Sequence, residues 1–123
     1  MTETTDTFGQ AVQFHQANDL TKAEQLYRRI LSDQPEHAGA ACNLGVILSS
    51  RGNLIQAEKL YRQALATSPH LGDAHLNLGN LLVRLNKIDE AIASYKSALQ
   101  SPNPPILARR NLWHLYFERG RDA

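Results

Sequence analysis

Three asparagines at a constant spacing are the residues in this chain whose chemistry indicates ligand binding. Asn43, Asn77 and Asn111 lie 34 residues apart. A side-chain amide has two N–H donors and one carbonyl acceptor, so it can bind both polar groups of a peptide backbone. Stacked at one per structural repeat, the three would form a clamp for an extended peptide. The alternative is that each amide bonds to water or to a neighbouring helix.

No group of residues indicates catalysis or metal binding. The sequence contains no nucleophile elbow, phosphate-binding loop, HExxH or CxxC motif. The one cysteine, Cys42, has no partner for an internal disulfide and is typical of a small core residue. His70 and His75 are five residues apart, and two surface histidines are a better interpretation than a metal site. We therefore predict a protein that is not an enzyme and that uses no cofactor or metal.

Composition and charge exclude several other classes. Of the 123 residues, 42% are hydrophobic and 20% are charged, which is typical of a folded protein. The net charge is +1 and there is no long basic run, so nucleic acid is not an expected partner. The N-terminus lacks the basic and apolar segments of a signal peptide, and no apolar run is long enough to span a membrane. We expect a cytoplasmic protein without a membrane partner.

The 34-residue spacing of the asparagines extends to other residue types. A tyrosine recurs at positions 27, 61 and 95, and a leucine recurs at positions 31, 65 and 99. Alanine recurs at positions 23, 57 and 91, and again at positions 40, 74 and 108. Five columns in one register are not expected by chance, so the chain is built from internal repeats.

Each repeat is predicted to form a pair of antiparallel helices. In the second repeat, apolar residues at 54, 57, 60, 61, 64 and 65 lie on one face of a helix with 3.6 residues per turn. Pro69 ends that helix, and Gly52 ends the helix before it. In the first repeat, Thr21 and Glu24 have the spacing of a capping box, which predicts a helix start there. No segment alternates like a strand, so the predicted fold class is all-α.

Two columns predict how the helices pack. Gly45 and Gly79, on the first helices, are expected to let the second helix of the same repeat approach closely. The tyrosine column is expected to fill the space between a second helix and the first helix of the next repeat.

A 34-residue helix-turn-helix unit with Leu-Gly, a later Gly, then Ala, an aromatic residue, Ala-Leu and Pro resembles the tetratricopeptide repeat (TPR), including bacterial TPR domains. The resemblance covers nearly the whole chain. It implies one domain, 1–123, with repeats at about 4–37, 38–71 and 72–105 and a fourth first helix at about 106–120. It also implies an α-solenoid of about seven helices wound into a right-handed superhelix, with a concave groove lined mainly by first helices.

The groove of such a superhelix is the expected binding surface. The asparagine column is similar to the asparagine ladder in the TPR arm of O-linked N-acetylglucosamine transferases. The class that grips a chaperone C-terminus with Lys, Arg and Asn is a poor match, because only the Asn members are present. The predicted groove residues are Phe8, Val12, Asn43, Val46, Asn77, Asn80, Arg84 and Asn111, with His15, Cys42, Leu76 and His114 beside them.

The resemblance implies a non-enzymatic scaffold that binds a peptide or a partner helix in this groove. One alternative is the N-terminal, substrate-recruiting arm of a larger transferase, because residues 14–40 resemble bacterial TPR regions that precede transferase domains. Another is self-association, for example as a homodimer, through the aromatic residues of the last helix. These residues are Trp113, Tyr116 and Phe117, and the tryptophan occupies the repeat position held by Gly45 and Gly79.

Overall fold

The structure, a computed structural model, describes the backbone of residues 2–122 and the side chains of residues 6–120. Over this range the chain forms seven α-helices and no strand, which confirms the predicted all-α fold class. The helices are α1 (Thr2–Gln16), α2 (Leu20–Asp33), α3 (Ala38–Ser50), α4 (Leu54–Thr67), α5 (Gly72–Arg84), α6 (Ile88–Leu99) and α7 (Ile106–Asp122).

The helices group into two compact units. The first unit, Met1–Thr67, contains α1 to α4, and the second unit, Ser68–Ala123, contains α5 to α7. In the first unit each helix packs on the next one along the chain. In the second unit α6 packs on both α5 and α7, and α7 also contacts α5. This contact between α5 and α7 brings the predicted site residues of the second unit together.

Glycine allows the two helices of a pair to pack closely in both units, as predicted. A Cβ atom built on Gly45 would lie 2.6 Å from Cε1 of Tyr61, and one built on Gly79 would lie 2.6 Å from Cε1 of Tyr95. Carbon atoms in contact are normally about 3.5–4.0 Å apart. Only glycine therefore fits against the tyrosine ring at these two positions.

The turns within the helix pairs share one unusual backbone conformation. Asn18, Gly52 and Asn86 have φ angles of 63°, 85° and 60°, and they lie 34 residues apart. Glycine and asparagine tolerate this left-handed region better than other residues. Gly52 thus follows the end of α3 as predicted. Asn18 and Asn86 have the same conformation after α1 and α5.

The start of α2 differs from the prediction. The N-cap is Asp19, whose carboxylate accepts a hydrogen bond from the backbone N–H of Lys22 at 3.3 Å. Glu24 pairs with Arg28 at 2.9 Å and also with Arg51. The capping-box interpretation was wrong, because an aspartate directly before the helix already supplies the acceptor that the first N–H groups need.

Candidate functional site

A pocket in the second unit contains three of the predicted groove residues. Asn80 and Arg84 of α5 lie across from Asn111 of α7, around a space of about 380 Å³ that we call the α5–α7 pocket. The complete lining is Asn80, Val83, Arg84, Tyr95, Asn111, His114 and Leu115. The structure therefore brings together Asn80, Arg84 and Asn111, which the sequence placed in consecutive layers of one groove.

Helical spacing places these side chains on the facing sides of α5 and α7. Asn80 and Arg84 are four residues apart, so they lie one above the other on α5. On α7 the buried residues Ala108 and Leu112 are 0% and 9% exposed and hold that helix in the unit. Asn111, adjacent to Leu112, then faces α5.

A hydrogen-bond network fixes the amide of Asn80. Its Oδ1 accepts a bond of 2.6 Å from the hydroxyl of Tyr95 and one of 2.9 Å from Nδ2 of Asn111. Reversing the Asn80 amide would place two NH₂ groups against each other, so only one orientation satisfies the network. Burial raises the pKa of the Tyr95 hydroxyl, an effect that the Asn111 amide partly offsets. The hydroxyl therefore stays protonated at neutral pH and acts as the donor.

The first unit has a related network around Tyr27, which is fully buried. Nδ2 of Asn43 on α3 donates to the Tyr27 hydroxyl at 3.2 Å, and Nδ1 of His15 on α1 lies 3.2 Å from the same hydroxyl. Burial lowers the pKa of His15 and raises that of Tyr27. A neutral His15 accepts the hydroxyl proton, so this network links three helices.

The asparagine column is thus partly used inside the protein. Asn43 and Asn111 each donate one hydrogen bond to a group on another helix. This is the alternative of bonding to a neighbouring helix, and for each of these amides it occupies one of the two N–H donors. Asn77 is half-buried. A peptide clamp that uses the remaining amide groups stays a proposal.

The other predicted groove residues differ in exposure. Val12 and Val46 are half-buried. Phe8, also half-buried, packs its ring 4.8 Å from the ring of His37 and 6.1 Å from that of Tyr27. A Cβ built on Gly39 would lie only 3.0 Å from Cζ of Phe8, so the glycine makes room for the phenyl ring.

Two residues expected beside the groove belong to the core instead. Cys42 is 4% exposed and Leu76 is 9% exposed. The expectation was wrong because α3 and α5 are buried around most of their circumference. Seven residues of each helix are buried, which leaves only a narrow exposed strip.

The aromatic residues of α7 are exposed as a group. Trp113, Tyr116 and Phe117 are 58%, 44% and 49% exposed. The rings of Trp113 and Phe117 stack at a centroid distance of 5.2 Å and an angle of 14°. Nζ of Lys96 lies 6.0 Å from the ring centre of Tyr116. Trp113 therefore presents a large apolar surface at the position where Gly79 is covered by a tyrosine.

Sequence reasoning assigned Tyr95 to packing alone and missed its place in the α5–α7 pocket. The signal was the residue type, since each repeat has tyrosine and not phenylalanine in this column. A buried hydroxyl requires a hydrogen-bond partner. That requirement points to a polar side chain on a facing helix, here Asn80.

No metal site is found among the side chains that the structure describes, since no three His, Cys, Asp or Glu residues cluster there. His75 instead has its Nε2 atom 2.8 Å from the backbone oxygen of Pro69. Within the described helices, none is both long enough and apolar enough to cross a membrane.

Family models described as tetratricopeptide repeat match residues 8–70 and residues 48–108. The first of these matches covers more than half of the chain. The chain belongs to the tetratricopeptide-repeat family. A comparison of this TPR chain with curated protein sequences gives no significant match.

Solved structures show the same TPR fold. A mutant of the Thermobaculum terrenum O-GlcNAc transferase is 27% identical, with a TM-score of 0.85 over 91% of this chain and 22% of that chain. The first TPR of Spaghetti (RPAP3), bound to an HSP90 peptide, is 15% identical, with a TM-score of 0.85 over 95% of this chain and 93% of that chain. The Sgt2 TPR domain from Aspergillus fumigatus is 17% identical, with a TM-score of 0.88 over 99% of this chain and 82% of that chain. The TPR chain thus spans about a fifth of the transferase and has the fold of an all-α TPR solenoid.

Proposed function

We propose that the chain is a protein-interaction module and that its α5–α7 pocket holds an extended peptide segment. The observation that carries this proposal is the fixed pair of amides. Asn80 offers Nδ2 as a donor because its Oδ1 is already bonded, and Asn111 offers Oδ1 as an acceptor because its Nδ2 donates to Asn80. A neighbouring donor and acceptor match the C=O and N–H groups of a peptide backbone.

The apolar part of the pocket would contribute affinity. Val83 and Leu115 lie beside the two amides in a space of about 380 Å³, which has room for a peptide side chain. The RPAP3 domain, with which this chain shares its fold, is a TPR that binds a peptide. Phe8, Val12, Asn43 and Val46 in the first unit, and Asn77 in the second, are proposed as further contacts.

The test uses a peptide selected from a random phage-displayed library on the full chain. Calorimetry with the synthetic peptide then compares the wild type with Asn111→Ala. We expect affinity to fall about tenfold, because a hydrogen bond contributes about 1 kcal/mol and an unpaired backbone group adds to the loss. Gln56→Ala, which truncates an exposed amide on α4, is the matched control and should bind like the wild type. Affinities of Asn111→Ala and wild type within twofold would refute the proposed site.

A second candidate function is supported by the similarity to the O-GlcNAc transferase, which is 27% identical over 91% of this chain. Here the TPR chain would be an arm that recruits substrate for a transferase domain of the same polypeptide. An immunoblot of the native cells should then detect a polypeptide much longer than 123 residues. A native product of this length would contradict the proposal.

Self-association through α7 is a third candidate, supported by the exposed, stacked rings of Trp113 and Phe117. Sedimentation velocity over a range of concentrations should show a dimer for the wild type and a monomer for Trp113→Ala. A wild type that stays monomeric at the highest concentration would refute this candidate.

A further inference from the structure

We propose that the α5–α7 pocket selects a carboxylate group of the bound segment, in addition to its backbone. This inference rests on the proposed peptide-binding function and specifies the chemistry of its ligand. It follows from three observations about the pocket: the bonding of Asn80, the charges of the lining residues, and the difference from the first unit.

The bonding of Asn80 makes the polar lining rich in donors. Its Oδ1 accepts bonds from Tyr95 and Asn111, so the amide presents only its two N–H groups to a ligand. Arg84 adds guanidinium donors, and His114 supplies an N–H in either tautomer. The one side-chain amide oxygen left for a ligand is that of Asn111. A ligand group with several acceptors and no donor fits this lining better than a neutral amide does.

The charges of the lining point to the same ligand. Arg84 is a cation, and no carboxylate is among the residues that line the pocket. The acidic side chain on α7, Glu118, lines a separate pocket together with Arg119. Arg119 in turn pairs with Asp89. An anion in the α5–α7 pocket would therefore meet positive charge and N–H donors. A carboxylate is the common peptide group with these properties, and its bonds to charged donors are stronger than those between neutral groups.

The first unit shows that this donor-rich lining is not a general feature of the repeats. The position of Asn80 is occupied by Val12 and Val46 in the preceding repeats, 68 and 34 residues earlier. The position of Arg84 is occupied there by Gln16 and Ser50, which are neutral. Replacing Asn80 by valine thus gives the second unit the side chain that the fold already accepts in the first.

The experiment measures binding of three capped pentapeptides to the full ¹⁵N-labelled chain by NMR at low salt. The first has a central glutamate between alanines and glycines, and the second has glutamine in its place. The third keeps glutamine but has a free C-terminal carboxylate. Side-chain amide signals of Asn80 and Asn111 report on the pocket directly.

We expect the glutamate peptide to bind roughly fivefold more tightly than the glutamine peptide, a modest factor because Arg84 is exposed to solvent. Arg84→Gln and Asn80→Val should each remove most of this preference. Arg109→Gln removes one charge from an exposed residue outside the pocket lining and should keep the preference. Tight binding of the third peptide would identify the carboxylate as a chain terminus, and weak binding would identify it as an acidic side chain.

Two results would overturn the inference, and they separate it from the proposed function. Glutamate and glutamine peptides that shift the Asn80 and Asn111 signals with equal affinity would refute carboxylate selection and leave peptide binding in place. The same conclusion follows if Arg84→Gln keeps the full preference. Peptides that leave both amide signals unshifted at millimolar concentration would overturn the peptide-binding function as well.

Discussion

Adding a single methyl group at Gly79 tests the packing that positions the pocket. In Gly79→Ala the new Cβ would lie 2.6, 2.8 and 3.1 Å from Cε1, Cδ1 and Cζ of Tyr95. All three atoms belong to one buried, rigid ring, so the ring or the whole of α6 must move. The hydroxyl of the same ring donates to Asn80, and movement of the ring would lengthen that bond.

The expected magnitude combines two opposing effects. Alanine is more favourable than glycine inside a helix by about 1 kcal/mol. Overpacking a core typically costs about 1–3 kcal/mol, and a weakened hydrogen bond costs about 1 kcal/mol more. We therefore expect the free energy of unfolding to fall by about 1–3 kcal/mol, so that the helix propensity of alanine does not compensate for the clash.

Urea denaturation followed by two signals measures this change. Far-ultraviolet circular dichroism reports on all helices, and the fluorescence of Trp113, the one tryptophan, reports on the second unit. With a slope of about 2 kcal/mol per molar urea, the midpoint should fall by about 0.5–1.5 M. Gly9→Ala is the control, because a Cβ at that position meets nothing within 4 Å and should leave the midpoint equal or higher. A Gly79→Ala midpoint equal to that of the wild type would refute the close packing of α5 on α6.

Three further changes test the first unit by the same denaturation assay. Burial lowers the pKa of His15 below its ordinary value of 6.5, so the unfolded chain takes up the proton first as the pH falls. The free energy of unfolding should thus decline between pH 6.5 and the lowered pKa, and less so in His15→Gln; equal declines would contradict this assignment. Asp19→Ala should cost about 1 kcal/mol and Thr21→Ala much less, whereas the reverse order would restore the capping-box interpretation. Gly52→Ala should cost about 1–2 kcal/mol because alanine is strained at positive φ, and an unchanged midpoint would argue against that backbone conformation.

The repeated columns of the sequence predicted much of the fold for a physical reason. A 34-residue period in both small and aromatic residues requires the same helix contacts to recur. The glycine at 79 and the tyrosine at 95 therefore predicted a close helix pair, and the structure confirms it. The positive φ angles of Asn18 and Asn86 follow from the same period, because both align with Gly52.

The hydrogen bonds of the site could not be predicted in the same way. The Asn80 amide is fixed by Tyr95, 15 residues away, and by Asn111, 31 residues away, and neither spacing is a repeat period. These bonds depend on side-chain rotamers and on how closely α7 approaches α5. The burial of Cys42 and Leu76 was missed for a related reason, since one residue's turn around a helix separates the exposed strip from the core.

The central claim is that the amides of Asn80 and Asn111 bind a peptide in the α5–α7 pocket. The most direct measurement is an NMR titration of the full ¹⁵N-labelled chain with a peptide selected from the phage-displayed library. Our account predicts that the largest shifts occur at the side-chain amides of Asn80 and Asn111 and at the backbone amides of Arg84 and His114. Largest shifts on the exposed faces of α4 or α6, with the two asparagine side chains unchanged, would contradict it.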